Sequence, residues 1–389
     1  MNRYLKIMSL SLIIALFFIG CTKQDKIEKI FEDGVEIITN PLQPYKSKDR
    51  FLSFKLEDDF RIDTEEDFYA EIGLSEITSF ALDSAGNIYL INAWSSEFSI
   101  FKFDNFGNYV KCFGRKGQGP GEIQRAFFIC VDADERVVTT DLSSLKIVFF
   151  DNNGELSDEI KLPPQMSSVL PLRKGNYLTL RTVMDRAGQQ PGYGYALSIF
   201  NSEFNEIIEL DRQRQSSFQT QDKYIGTYMT FEWEVFDDHI YVMSEERGYE
   251  ILVFDLEGNL IKKIKKEYLL VDISEEYKKA FLDQYPSNVS YTSRVVFPEH
   301  LPPYNYFFIS DEGWIFVMTY EKGNNPGEYI FDIFNNDGVF VGRKSLSFQI
   351  TPATRGVNTS AIIQKNKYYH LHKKENGYSE LIVYKMIWE

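Results

Sequence analysis

The sequence predicts an all-β chain folded as a six-bladed β-propeller of four-stranded antiparallel blades. Three observations carry the prediction. A turn followed by an apolar strand recurs six times, at Asp83 (DSAGNIYLIN), Asp132 (DADERVVTTD), Leu172 (LRKGNYLTLR), Phe236 (FDDHIYVMS), Ser310 (SDEGWIFVMT) and Gln364 (QKNKYYHLH). An aromatic followed by Asp or Asn and a short polar turn recurs five times, at Phe103 (FDNFGN), Phe150 (FDNNGE), Phe200 (FNSEFN), Phe254 (FDLEGN) and Phe334 (FNNDGV). The chain then ends on one unpaired strand, LIVYKMIWE, while another, RFLSFKLEDDF from Arg50 to Phe60, stands alone near its start.

Each recurring signature reads apolar strand, tight turn, apolar strand, which is a hairpin. Two hairpins make a four-stranded meander, and a repeat of roughly 40 to 50 residues built that way is a propeller blade. The missing sixth copy of the second hairpin is supplied if the N-terminal strand pairs with the last one, closing the ring and removing two sheet edges.

The elements follow in order. Arg3 and Lys6 open a basic start, and Ile7 to Ile19 is a mostly apolar run too short for a comfortable membrane span, so residues 1–20 read as a signal segment. Gly20-Cys21 at its end resembles the lipobox of bacterial lipoproteins, which implies lipidation of Cys21, although Phe18 stands where that motif usually has Leu. Residues 21–49 read as a polar tether and 50–389 as the propeller. Within the propeller, 267–303 is an inserted loop in which Ser274 to Tyr285 reads as a short helix, with Ser274 as N-cap and Pro286 beyond its end.

Composition narrows the function. The formal net charge is -15, and removing Arg3 and Lys6 with the signal makes it -17. Such a surface repels nucleic acid and anionic lipid, so contact with a membrane is expected through the lipid anchor only. Cys112 and Cys130 are too few for a disulfide framework and are expected to be buried and free.

The Gly-rich stretch CFGRKGQGPGEIQR, Cys112 to Arg125, invites a phosphate-binding reading. A Walker loop needs Lys followed by Ser or Thr after its last Gly, but Glu122 follows Gly121, and Pro120 removes a backbone donor. Followed by FFICVDADERVVTTDLSSLKIVFFD, the stretch resembles an NHL-type repeat, and the whole chain resembles the six-bladed β-propeller lipoproteins of Gram-negative anaerobes. The other blades lack the Gly-rich segment. The resemblance implies a fold and an envelope location, and no established activity.

In a meander whose strands are lettered a to d from the channel outward, a–b and c–d turns share one face and b–c and d–a loops the other. The second face has the long, variable loops and is the expected binding face. Counting four residues on from the first apolar residue of each b strand selects Asn92, Asp141, Arg181, Ser244, Thr319 and His372 as a polar ring at its mouth. Strand ends turn polar on reaching water in any case, so the ring has a purely structural alternative. Arg115, Lys116 and Arg125 offer a local basic patch, and Trp94, Tyr193, Tyr228 and Trp233 offer rings for a sugar or a protein, or for packing.

Signs of catalysis are sparse. The four histidines, His239, His300, His370 and His372, have no diagnostic metal spacing, and no nucleophile elbow or His-Glu-x-x-His helix occurs. We expect no cofactor, no metal and no assignable catalytic residue. The leading expectation is a membrane-anchored binding or scaffold protein of the cell envelope engaging a protein or a glycan; the rival is a lyase or hydrolase at the channel mouth.

Overall fold

The computed structural model describes residues 26–45, 54–93, 97–164, 166–185, 192–214, 224–225, 231–283, 292–348 and 361–388. They form a ring of six four-stranded antiparallel blades. From strand a to strand d, blade 1 is Ser79–Leu82, Ile88–Ile91, Ile100–Phe103 and Tyr109–Phe113. Blade 2 is Ala126–Val131, Val137–Asp141, Lys146–Phe150 and Leu156–Lys161. Blade 3 is Met166–Pro171, Tyr177–Asp185, Gly192–Phe200 and Glu206–Arg214. Blade 4 is Phe231–Phe236, His239–Ser244, Glu250–Asp255 and Leu260–Lys266. Blade 5 is Tyr306–Ile309, Ile315–Lys322, Glu328–Phe334 and Phe340–Ser347. Blade 6 is Ala361–Gln364, Lys367–Lys373 and Ser379–Trp388, completed by the N-terminal strand Phe54–Asp63.

That last pairing is the expected closure. Phe54–Asp63 runs antiparallel to Ser379–Trp388, from Trp388 opposite Phe54 to Glu380 opposite Asp63. The strand is shifted relative to the expected Arg50–Phe60, of which 50–53 lie outside the described residues.

Aspartate and asparagine set the turns that make the blades. In the c–d turns of blades 1 and 4, Asp104 and Asp255 accept hydrogen bonds from the backbone N–H groups two and four residues on, at 2.8 to 3.0 Å. The side chain thus completes the turn that the backbone alone leaves open. The fourth turn residue then takes positive φ, as Gly107 does at +85°. A Cβ on Gly107 would stand 2.5 Å from the Phe60 ring of the closing strand. Gly107→Val is therefore expected to cost about 3 kcal/mol, combining backbone strain with overpacking, read as a lower urea midpoint at unchanged m-value.

The core lies between blades. Each seam holds its own apolar cluster: Phe101 and Tyr369 mark the seam of blades 6 and 1, Ile91 and Ile129 that of 1 and 2, Val138 and Val169 that of 2 and 3. Leu197 and Val242 fill the seam of blades 3 and 4, Val253 and Phe307 that of 4 and 5, and Phe316 and Tyr368 that of 5 and 6. Phe308 and Phe316 stack with centroids 5.1 Å apart. Since each blade buries both faces against neighbours, the ring is stable only when complete.

Two expectations need correction. Part of the stretch read as a tether folds: Glu28–Glu32 and Val35–Asn40 form a hairpin, and Val35–Asn40 pairs parallel with the outer strand of blade 4, extending that sheet to six strands. Its turn is Asp33-Gly34, both at positive φ, a dipeptide that favours a two-residue hairpin turn. The Asn40 side chain holds the hairpin down, donating to the carbonyls of Gly338 (2.9 Å) and Lys265 (3.1 Å) and accepting from the Phe340 N–H (2.8 Å). Secondly, Cys112 and Cys130 are free, but Cys112 is exposed and Cys130 only partly buried, because the outer strand of blade 1 turns Cys112 to water.

Candidate functional site

The Gly-rich segment joins blade 1 to blade 2 on the loop-rich face, and its amides are already occupied. The Glu122 carboxylate accepts from the Gly119 N–H (2.9 Å) and from Arg115 (2.8 Å), and those bonds, the backbone one foremost, hold it below the usual carboxylate range. Gly121 donates to Glu159, which also pairs with Lys146 at 2.8 Å, and Lys146 donates to the Gly119 carbonyl. A Cβ at Gly117 would stand 2.0 Å from Glu122 Oε2, so glycine there makes room for the carboxylate. The protein's own acids sit where an anion would have to bind. Of the basic trio, Arg115 is paired with Glu122, Lys116 bridges to Ile123 in the loop's backbone, and the Arg125 N–H donates to Asp141.

The six ring candidates stand at or near the b-strand ends, and the structure gives most of them local partners. Asp141 is fully buried and accepts from the backbone N–H groups of Gln124, Arg125, Ser143 and Ser144, organising both loops beside it. Asn92 bonds to the Gly73 and Glu97 carbonyls and the Ser99 N–H, and Ser244 donates to Gln213. Arg181 pairs with Glu206 and Glu209, and its strand runs on to Asp185, so it is not at a strand end. Thr319 donates to the Ile330 carbonyl, filling a gap in the ladder. His372 lies beside His370, with centroids 6.1 Å apart. Trp233 packs with Phe231 into the seam of blades 3 and 4 rather than facing a ligand. Trp94 and Tyr228 and the side chain of Tyr193 lie outside the described residues.

The concave site is formed by the insertion. Its neck is pinned where Ile273 N–H donates to the Glu299 carbonyl and Leu301 N–H to that of Val271, with His300 Nδ1 2.8 Å from Asp272 Oδ1. From this neck the helix Glu275–Leu282 springs, its N-cap Ser274 accepting from the Tyr277 N–H at 3.1 Å. The helix lies over the outer end of the middle strands of blade 5 and encloses a pocket of about 360 Å³. Tyr277, Phe281, Tyr320 and Tyr329 line it as aromatic walls, and Asp272, Ser274, Glu276 and Lys322 supply polar groups. Tyr277 and Tyr320 meet edge to face at 6.3 Å, and Lys322 donates to the Tyr329 hydroxyl at 3.0 Å.

Tyr320, Lys322 and Tyr329 line the pocket without standing at the strand-end positions that the repeat marks out. The repeat places the end of the b strand at Thr319, but the strand continues through an irregularity between Met318 and Lys322 that re-aims the residues after it. Lys322 then pairs opposite Tyr329, and the pocket receives both.

Two titratable features, one around the half-buried Glu234 and one around the buried His370, lie elsewhere. On strand a of blade 4, Phe231, Trp233 and Val235 pack toward blade 3, so Glu232 and Glu234 face the other way, opposite Met243 and Tyr241 in the seam with blade 5. Burial, with the neighbouring charge of Glu232, pushes Glu234 up to about 8. His370 stacks parallel to Tyr368, and burial, aided by His372, pushes it down to about 3, which keeps it neutral in ordinary buffers. Among the described residues, no group of three or more His, Cys, Asp and Glu side chains is placed to hold a metal ion.

Ring, seams and closure define a six-bladed β-propeller. Residues 64–225 match a family model, DUF5128, described as a 6-bladed beta-propeller. No curated protein matches the chain. Among solved structures it is similar to a Bacteroides fragilis protein whose name describes it as exported (13% identity, TM-score 0.50, covering 90% of this chain and 99% of that one). It is also similar to a member of the DUF4221 family from Bacteroides vulgatus (10%, TM-score 0.49, 87% and 99%) and to a virginiamycin B lyase from Staphylococcus aureus (10%, TM-score 0.40, 86% and 100%). At 13% identity the likeness to the Bacteroides fragilis protein speaks to the fold alone.

Proposed function

We propose that this protein is a lipid-anchored binding protein of the cell envelope that captures a saccharide in the pocket between the inserted segment and blade 5. The carrying observation is the pocket lining: tyrosine rings with carboxylates, a hydroxyl and a lysine around one concavity on the loop-rich face. Aromatic faces stack on the C–H faces of a sugar, and the rim groups bond its hydroxyls. The envelope address rests on the basic start, apolar run and Gly20-Cys21 of the N-terminus, and agrees with the description of the Bacteroides fragilis relative as exported.

A glycan array followed by calorimetry on the mature protein tests the reading. Tyr329 is half-buried and also packs against the seam cluster of blades 5 and 6, whereas Glu276 is exposed on the wall, where Glu276→Gln spares the core. Tyr329→Ala is expected to weaken the best array hit by about tenfold or more, equivalent to about 1.4 kcal/mol, with some loss of melting temperature, and Glu276→Gln to weaken it at unchanged melting temperature. A protein that binds no envelope saccharide, or one indifferent to both substitutions, would sink the proposal.

A further inference from the structure

We infer that Tyr268, Leu269 and Leu270 form a bilayer-contact patch that rests the loop-rich rim of blade 4 on the membrane holding Cys21; this rests on the lipid anchor proposed above. Strand directions locate the patch. Leu260–Lys266 runs from the hairpin face to the loop-rich face, Val35–Asn40 runs parallel beside it, and Glu28–Glu32 runs back. The chain therefore enters the fold at Glu28, opposite Thr39, on the loop-rich rim. Cys21 lies seven residues earlier, a reach of at most roughly 25 Å.

The patch leaves from the same corner. The Glu267 N–H donates to the Asn40 carbonyl at 3.0 Å, and Tyr268 follows directly. Two strand spacings, roughly 10 Å, separate this point from the entry strand. Leu269 is 69% exposed and Leu270 61%, in a chain of net charge -15. Tyr268 is held against the fold, its ring 6.2 Å from that of Tyr249, which leaves the two leucines outermost.

Contiguous leucines in water beside a lipid attachment point suit the acyl boundary, and tyrosine suits the headgroup level. The acidic surface disfavours broad contact with anionic lipid, so a small apolar foothold is the form of contact it permits. Val271 and Asp272, next in the chain, line the pocket, so the contact holds the pocket beside the bilayer.

The natively processed protein, in a Cys112→Ser, Cys130→Ser background, is labelled with an environment-sensitive fluorophore through Leu269→Cys or, on the hairpin face, Phe106→Cys. Each is reconstituted into phosphatidylethanolamine vesicles with a minor phosphatidylglycerol fraction and spin-labelled lipid, and acylation of Cys21 is read by mass spectrometry. Blue-shifted emission and several-fold stronger quenching at position 269 than at 106 is the expected result. An acylated protein whose label at 269 stays in water, or is quenched no more than that at 106, overturns the inference alone. An unmodified Cys21 overturns the anchor and this inference together, while leaving saccharide binding to its own test.

Discussion

A chain lacking residues 1–63 is expected to lose its cooperative thermal transition and to aggregate. The deletion removes the strand Phe54–Asp63, which pairs at nine positions with Ser379–Trp388. It strips two fully buried side chains, Phe54 and Ile62, from the seams on either side of blade 6. Each such burial contributes about 2 to 3 kcal/mol, against a total stability of roughly 5 to 15 kcal/mol for a typical domain. It also leaves the Ser379–Trp388 edge open for pairing between molecules. A companion deletion of residues 1–45 removes the blade 4 hairpin but keeps the closing strand, and is expected to melt cooperatively at a lower temperature. Scanning calorimetry and light scattering decide the matter: a monomeric 64–389 chain melting close to the full-length protein would show that the ring does not depend on this strand.

Glu234→Gln is expected to stabilise the protein increasingly as pH rises from 5 to 9, by a few kcal/mol at the upper end. The folded-state pKa of Glu234 is pushed up to about 8 by burial and by Glu232, against an ordinary value of 4.5. Between those values the folded chain keeps a proton that the unfolded chain has released, so wild-type stability falls as pH rises through the window. Below pH 4.5 both states hold the proton and the effect is absent. Glutamine mimics the neutral acid at every pH. The difference in melting temperature between variant and wild type should therefore be small at pH 5 and large at pH 9. A difference independent of pH would mean that Glu234 is already ionised in the fold.

Much of the scaffold was legible because its signals are local. Asp104 and Asp255 cap their turns through their own backbone, and Gly107 takes the positive φ that its turn calls for. The Asp33-Gly34 turn is equally local, but its hairpin stands in a mostly polar stretch that by composition reads as a tether. The pocket was not legible in this way. Regular spacing along the strand points to Thr319, and a single irregularity in pairing places Tyr320 and Lys322 in the wall instead. Likewise, the glycines of the Gly-rich loop are visible in sequence, while the occupation of their amides by Glu122 and Glu159 depends on how the loop closes.

The sequence by itself determined the number of blades, the meander within each and the closure by an N-terminal strand, because hairpins depend on turn residues and alternation that lie within a few positions of one another. Tertiary structure alone decided which polar groups remain available to a ligand. Asp141, Asn92 and Ser244 are exposed in the imagination of a single strand but satisfied by neighbouring loops in the ring, whereas Tyr277, Tyr320 and Tyr329 come together only when the inserted helix folds back over blade 5. Hydrogen-bond satisfaction and concavity are properties of segments far apart in the chain, and no local pattern encodes them.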